Sequence, residues 1–222
     1  WVGGEPLMYE QHWRYMKRIV ELGDGPGLYA RYNSNLSRVT YKGQNLYTDI
    51  LANIRDWQVC ASIDGTGEIG EYIRTGLKYD QFVDNFRQGT QIATNRRQMR
   101  LDFTLTLPGL FEVVNINRLG YELNVDILAK VIFTFTPDII MSPLALPRKI
   151  LERVIDELTN NELSQSLTDM LVQLKNRPTM SEQWPEQYAD GMRKGKKRIH
   201  TLEHIRNDSF TMKHILSKDK EI

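Results

Sequence analysis

The sequence predicts an α/β protein built on a parallel β-sheet. Short apolar and β-branched runs alternate with longer stretches of helical period. Each strand and helix together take roughly 30 to 40 residues, the length that a parallel crossover requires. The predicted strands also lack clean polar alternation, which is typical of strands covered on both faces. These observations predict repeated strand and helix units.

The predicted strands and helices follow one another along the first two thirds of the chain. The strand candidates are WV before GGE, LYARYN at 28–33, WQVCASID at 57–64, MRLDFTLTL at 99–107 and ILAKVIFTFT at 127–136. The helix candidates are LMYEQHWRYMKRIVEL at 7–22, TDILANI opened by Thr48, and YDQFVDNFRQGTQIA at 79–93. In the first helix, Trp13, Met16 and Val20 form one apolar stripe.

After PLALP at 143–147 the strand pattern stops. Pro147 is suited to the first turn of a helix, whose predicted apolar stripe is Ile150, Leu151, Val154, Ile155 and Leu158. A second helix, with the stripe Leu163, Leu167, Met170, Leu171 and Leu174, ends before Pro178. A third, more polar helix runs from about Glu186 to Arg206. We therefore predict a sheet domain over residues 1–146 and a helical extension over 147–222 that packs on it, with a frayed tail.

Composition excludes several classes of function. The formal net charge is +1, so the overall balance does not favour nucleic acid, anionic lipid or acidic substrates as partners. No apolar run approaches the ~20 residues of a membrane span. Cys60 is the single cysteine, which excludes an internal disulfide and any thiolate metal site of two or more cysteines from this chain alone. We expect a soluble, cytoplasmic protein.

Polar residues collect where the predicted strands end. The strand ends read GGE at 3–5, YNSN at 32–35, SIDG at 62–65, TLT at 104–106 and TFTPD at 134–138. In parallel sheets, ligands bind outside the carboxyl ends of the strands. Period-two geometry places Cys60, Ser62 and Asp64 on one face of their strand, and Arg31, Asn33 and Asn35 on one face of theirs. Turns and caps explain each motif alone, but several on one edge predict a binding rim.

Several of these motifs together resemble the radical S-adenosylmethionine (SAM) superfamily, and most closely its twitch-domain branch. The motifs are GGEP, RYNSNLS, YKGQN, ASIDGTGEIGEYIRTG and HTLEHIRNDSF, in this order. The resemblance covers residues 1 to about 145 and extends more loosely through the tail. It implies a partial (β/α)6-type parallel barrel that holds SAM and a [4Fe-4S] cluster. It also implies cleavage of SAM to a 5'-deoxyadenosyl radical, which abstracts a hydrogen atom from a substrate.

The resemblance implies roles for individual residues in this chain. Glu5, with the backbone of Gly3 and Gly4, would hold the SAM amino group, and Ser62 and Arg74 would bind its carboxylate. A zwitterionic end needs an acid, a base and backbone donors, and this rim contains all three.

Other residues would lie around the remainder of SAM and the substrate. Asn33, Asn35 and Asp64 would line the ribose. The residues implied beside substrate and adenine are Thr104, Thr106, Val131 and Phe133.

One departure from the family pattern is serious. Cluster ligation in the family requires CxxxCxxC, and Cys60 is alone and outside the expected place. We therefore expect a barrel that lacks its first unit, the C-terminal portion of a longer enzyme whose cluster ligands lie upstream. This chain alone should not catalyse the radical reaction, and its exposed sheet edge predicts poor solubility or oligomerisation.

Two other functions stay open from the residues. A cluster-free family member could act as a SAM-binding or protein-binding scaffold, and an unrelated α/β enzyme could bind a nucleotide or sugar. The substrate stays open among peptides, nucleotides and small molecules, because the cofactor performs the chemistry. His200 and His204 have a spacing that can bind zinc, and RKGKKR at 193–198 could contact phosphate. A structural histidine pair and a solvated basic surface are the simpler interpretations.

Overall fold

A parallel four-stranded sheet is the main feature of the structure, a computed structural model that describes residues 4–132 and 136–219. Its strands are β1 (Tyr29–Ser34), β4 (Asp56–Ile63), β5 (Met99–Leu105) and β6 (Asp126–Val131), hydrogen-bonded in the order β1-β4-β5-β6. A separate short hairpin pairs β2 (Thr40–Tyr41) with β3 (Gln44–Asn45). The predicted fold class is confirmed: a parallel sheet of partial-barrel type with flanking helices, followed by C-terminal helices.

The strand bounds agree closely with the predicted runs for β1, β4 and β5. The strand β6 is shorter than the run predicted at 127–136, and part of that run lies outside the described residues. The WV strand candidate also lies outside them. The expected lack of alternation is wrong for β1, where Ala30, Tyr32 and Ser34 are buried and the residues between them are exposed. This burial pattern shows that only one face of β1 is covered.

Helices separate and follow the strands. The helix α1 (Glu10–Glu21) precedes β1. Between later strands lie α2 (Gly67–Ile73), α3 (Tyr79–Ile92) and α4 (Val113–Glu122). After β6 follow α5 (Arg148–Thr159), α6 (Gln165–Lys175), α7 (Met180–Gln183), α8 (Tyr188–Arg206) and α9 (Met212–Leu216). None of the helices in the described part of the chain is both long enough and apolar enough to cross a bilayer.

The helix predicted to open at Thr48 begins earlier. A π-helical turn spans Leu46–Ile50, and a 3-10 turn follows over Leu51–Asn53. The cap is Asn45, whose side-chain oxygen accepts from the backbone amides of Tyr47 and Thr48. Asparagine is among the strongest N-cap residues, so the prediction that Thr48 is the cap is wrong. The helices α2, α4, α7 and α9 were not predicted, because each is short or lacks a long apolar period.

The chain forms two compact units, each assembled from separate segments. Unit 1 comprises Trp1–Ile63, Gly76–Asp102 and Leu119–Leu128, and unit 2 comprises Asp64–Thr75, Phe103–Arg118 and Ala129–Ile222. The domain boundary expected between residues 146 and 147 stays a prediction.

Each unit has its own buried side chains. In unit 1, Trp13 on α1 and Phe82 and Phe86 on α3 are almost completely buried. In unit 2, α5 and α6 contribute an apolar set at helical spacing. Its members are Leu151, Val154, Ile155, Leu167, Met170, Leu171 and Leu174. The apolar stripes predicted for these helices are therefore the ones that face the interior.

Gly89 allows α3 to pack closely in unit 1. A Cβ atom at this position would lie 2.5 Å from Met99 Sδ and 2.7 Å from Tyr47 Cε1. Both neighbours are 1% exposed and have little space to move. We predict that Gly89→Ala lowers the free energy of unfolding by about 1 to 3 kcal/mol, measured by urea denaturation. Gly27→Ala is the control, because a Cβ there meets nothing within 4 Å. An equal effect in both variants would contradict the packing explanation.

His12 makes the stability of the chain depend on pH. Its side chain is 1% exposed, and its Nε2 lies 2.9 Å from the Tyr32 hydroxyl. Burial lowers the pKa of His12 to about 4, below the 6.5 of a free histidine. Between these values the unfolded chain binds a proton that the folded chain does not, so stability falls as the pH falls from about 6.5 to 4, by up to about 1.4 kcal/mol per pH unit.

The test is urea denaturation of the wild type and His12→Gln at several pH values across that window. We expect the wild type to lose more stability than the variant as the pH falls. Parallel pH profiles for the two proteins would refute the assignment to His12.

Candidate ligand site at the carboxyl end of the sheet

One face of β1 and β4 in unit 1 carries polar side chains. The parallel register places Arg31 opposite Gln58 and Asn33 opposite Cys60. Partners in such a ladder point to the same side, and residues two apart share a face. The exposed Asn33 of β1 and the half-buried Ser62 of β4 therefore lie on the same face of the sheet. This confirms the two predicted faces for the residues within these strands.

Glu5 is anchored at the carboxyl end of β1. Its Oε1 accepts a hydrogen bond from the Ser34 hydroxyl at 2.7 Å, and its Oε2 accepts from the Asn35 backbone amide at 2.6 Å. The Leu7 amide also donates to Oε1, at 3.2 Å, so Glu5 caps the 3-10 turn Pro6–Met8. A carboxylate offers about four acceptor positions. These three donors leave one acceptor position, on Oε2, for a further donor.

The residues around Glu5 hold this arrangement in place. Ser34 is 2% exposed, and its hydroxyl oxygen also accepts from the Leu36 amide at 3.0 Å. The Asn35 side chain accepts from the Ser37 amide at 2.9 Å, which forms an Asx turn. Gly4 has φ +64°, and a Cβ there would lie 2.7 Å from the Tyr9 hydroxyl. The segment before Glu5 is therefore shaped for glycine.

Asp64 and Arg74 pair with each other in unit 2. Arg74 Nε lies 2.7 Å from Asp64 Oδ2, and Arg74 Nη2 lies 3.1 Å from Asp64 Oδ1. Such two-point pairing orients both groups. Because the guanidinium fork is engaged, binding of an external carboxylate by Arg74 would use its remaining nitrogen or compete with Asp64. The roles of both residues toward SAM stay predictions.

A buried glutamate in unit 2 holds the turn that follows Asp64. Glu112 is 3% exposed and accepts from the Thr66 backbone amide at 2.9 Å and from the Thr66 hydroxyl. Asn115 donates to the same carboxylate. Glu112 was not predicted as a site residue, because a single acid within an apolar helical run has no distinguishing signal in the sequence. Its position explains how the polar turn after β4 keeps its shape.

The remaining predicted residues have different surroundings. Thr106 is 4% exposed, and its hydroxyl accepts from the Gly109 amide at 3.1 Å, so it stabilises a turn. Thr104 is half-buried, and Val131 is buried. Gly3 and Phe133 lie outside the described residues. The structure thus brings together Glu5 and Asn35 in unit 1, and Asp64 and Arg74 in unit 2.

This chain's own residues do not fit a [4Fe-4S] cluster. Cys60 is 1% exposed, and its Sγ lies 3.6 Å from Gln58 Oε1 within the sheet. Three thiolates are required to hold such a cluster with one open iron. In residues 4–132 and 136–219, no three His, Cys, Asp or Glu side chains are grouped as metal ligands, and this includes His200 and His204. Any cluster would need ligands from outside this chain.

The basic run at 193–198 is partly paired with acids. Arg193 and Lys194 contact Asp190, at 2.5 and 2.8 Å, and Arg198 lies 3.1 Å from Asp138. These exposed pairs contribute little stability, but they reduce the positive charge available to a phosphate ligand. The pairing is consistent with a solvated surface at these three residues.

Comparison with known proteins found one solved structure with a similar fold. No protein-family model matches this chain, and no curated protein sequence matches it. Among solved structures, it is similar to the crystal structure of Streptococcus suis SuiB bound to precursor peptide SuiA, with 15% sequence identity and a TM-score of 0.49. The match covers 78% of this chain and 39% of that chain, so it spans about two fifths of SuiB. This likeness concerns the fold alone and assigns no activity.

The anchoring of Glu5 predicts a specific cost for loss of the Ser34 hydroxyl. Ser34→Ala removes one donor to Glu5 and leaves the buried Leu36 amide without its acceptor. We expect the free energy of unfolding to fall by about 1 to 3 kcal/mol. Ser37→Ala is the matched control because Ser37 is exposed, and it should change stability by less than about 0.5 kcal/mol. Urea denaturation measures both, and equal stability of the two variants would contradict the anchor.

Proposed function

We propose that this chain binds S-adenosylmethionine at the carboxyl ends of β1 and β4, as part of a radical SAM protein. The observation that carries the proposal is the fixed carboxylate of Glu5 at the end of β1. Glu5 lies at the carboxyl end of β1, the strand whose Asn33 is on the same face of the sheet as Ser62. The motif resemblance independently implies the same residues for SAM.

The chemistry of these groups suits a zwitterionic nucleoside ligand. The remaining acceptor position on Glu5 can take a hydrogen bond from a ligand ammonium, and the pairing of opposite charges strengthens such a bond. Asn33 offers an amide donor and acceptor, and Ser62 offers a hydroxyl, which are the groups that bind ribose hydroxyls or a carboxylate. Neither side chain hydrogen-bonds to another described residue, so both are available to a ligand.

Radical chemistry belongs to the longer protein that we propose. SAM bound to a reduced cluster supplies a 5'-deoxyadenosyl radical that abstracts hydrogen, and the cluster's ligands would be cysteines other than Cys60. The residues of this chain would bind and orient SAM and contribute to the substrate pocket. The substrate is a peptide, a nucleotide or a small molecule.

A cluster-free SAM-binding scaffold is the second candidate. The observation that favours it is the burial of the single cysteine within the sheet. Both candidates bind SAM at the same site, and only the radical enzyme would contain an iron–sulfur cluster. Iron content and release of 5'-deoxyadenosine by the longer protein would distinguish them.

The test of SAM binding is calorimetric titration of the chain with SAM. We predict that Asn33→Ala and Ser62→Ala each weaken binding by about three- to tenfold, because each removes one hydrogen bond to the ligand. Both variants should fold normally, since neither side chain bonds to described residues. The matched control is Asn53→Ala, which changes an exposed residue elsewhere in unit 1.

The outcomes separate the hypotheses. Weaker binding in the site variants with unchanged binding in the control supports the proposal. Absence of SAM binding by the folded chain, or equal affinity in all variants, would contradict it. Preferential binding of ATP or a sugar nucleotide would instead favour the unrelated α/β enzyme.

A further inference from the structure

Unit 2 contains an apolar groove of about 850 Å³ that the proposed SAM site does not use. Its walls come from α8, α9, the start of α5 and the segment before it. Ligand pockets in proteins have this range of volume and combine apolar walls with a few polar groups. The groove was not predictable from local sequence patterns, because the residues of its walls are distant from one another in the chain.

One face of α8 forms a wall of the groove. Tyr188, Met192, Ile199 and Glu203 line the groove at spacings of four, seven and four residues, which fall on one side of a helix. Gly195 on the same helix allows close packing, because a Cβ there would lie 2.6 Å from Ile140 and 2.7 Å from the Asp138 carbonyl oxygen. The helix α8 therefore packs tightly against residues 138–140, and this contact fixes the position of the groove wall.

Two apolar clusters flank the groove. One contains Tyr72 and Met212, and the other contains Ile140 and Ala145. The side chain of Ile199 packs against both clusters. Apolar side chains thus surround a volume that no side chain fills, although protein interiors are usually close-packed.

The charges in the groove are asymmetric. The two carboxylates in its lining are engaged: Glu203 accepts from the Tyr72 hydroxyl at 2.8 Å, and Asp219 pairs with Arg153 at 2.7 Å. The lining cations Lys196 and Lys213 are exposed and make no ion pair with another described residue. The groove therefore presents unpaired positive charge beside an apolar surface.

We propose that this groove binds a small amphipathic carboxylate, of the fatty-acid class. The apolar chain would lie along Met192, Ile199 and Leu216, and the carboxylate would contact Lys196 and Lys213. His200, which also lines the groove, can donate a further hydrogen bond. Each methylene buried in such a site tightens binding by about fourfold, so affinity should rise with chain length. The proposal is independent of SAM binding.

The test is calorimetric titration of the whole chain with decanoate, with decanol as the uncharged probe. We expect one decanoate per chain, and weaker binding of decanol. The double variant K196E/K213E should weaken decanoate binding by about tenfold and leave decanol binding nearly unchanged. The matched control is K197E/K218E, which makes the same charge change at exposed lysines outside the groove.

Several results would overturn the proposal. They are no decanoate binding below its critical micelle concentration, several molecules bound per chain, or equal losses in the two double variants. Dimerisation that blocks decanoate would assign the groove to a second copy, and sedimentation would detect it. Asn33→Ala should bind decanoate normally, so failure of this proposal and failure of SAM binding are distinguishable.

Discussion

The carboxylate of Glu5 fixes the part of unit 1 on which the proposed function depends. It joins the turn before α1 to the end of β1 through the Ser34 hydroxyl and the Asn35 amide. Hydrogen bonds to an ionised acceptor are stronger than neutral ones, and Ser34 is buried. The geometry of the end of β1 is therefore fixed before any ligand binds. In a preorganised site, the free-energy cost of ordering side chains and loops on binding is smaller.

The polar side chains beside this anchor lie on the exposed face of β1, which is covered on its other face only. A strand with one covered face can carry polar side chains on the opposite face, because that face stays in contact with solvent. The register then places Asn33 beside Cys60 and on the same side as Ser62. Within unit 2, Asp64, Arg74 and Glu112 are engaged with partners and hold turns. These polar residues contribute to shape, whereas Asn33 and Ser62 are available for binding.

Local sequence patterns predicted the parts of this structure that depend on local physics. The two-residue alternation of side chains in strands predicted which face of the sheet carries Asn33 and Ser62. The 3.6-residue period of helices predicted which residues of α5 are buried. Local patterns did not predict which of two suitable residues would cap a helical turn. Asn45 caps the turn for which Thr48 was the predicted cap. Partners distant in sequence were also missed: Ser34 for Glu5, and Tyr72 for Glu203. The groove in unit 2 depends on such distant contacts throughout.

The most direct measurement is an amide NMR titration of the chain with SAM. The account predicts that chemical-shift changes concentrate at Glu5, at residues 33–35 and at Ser62, because the ligand would contact the carboxyl ends of β1 and β4. Amides in α5 and α8 should stay unchanged. Changes confined to the opposite strand ends, near Asp56 and Arg97, or no changes at saturating SAM, would contradict the central claim.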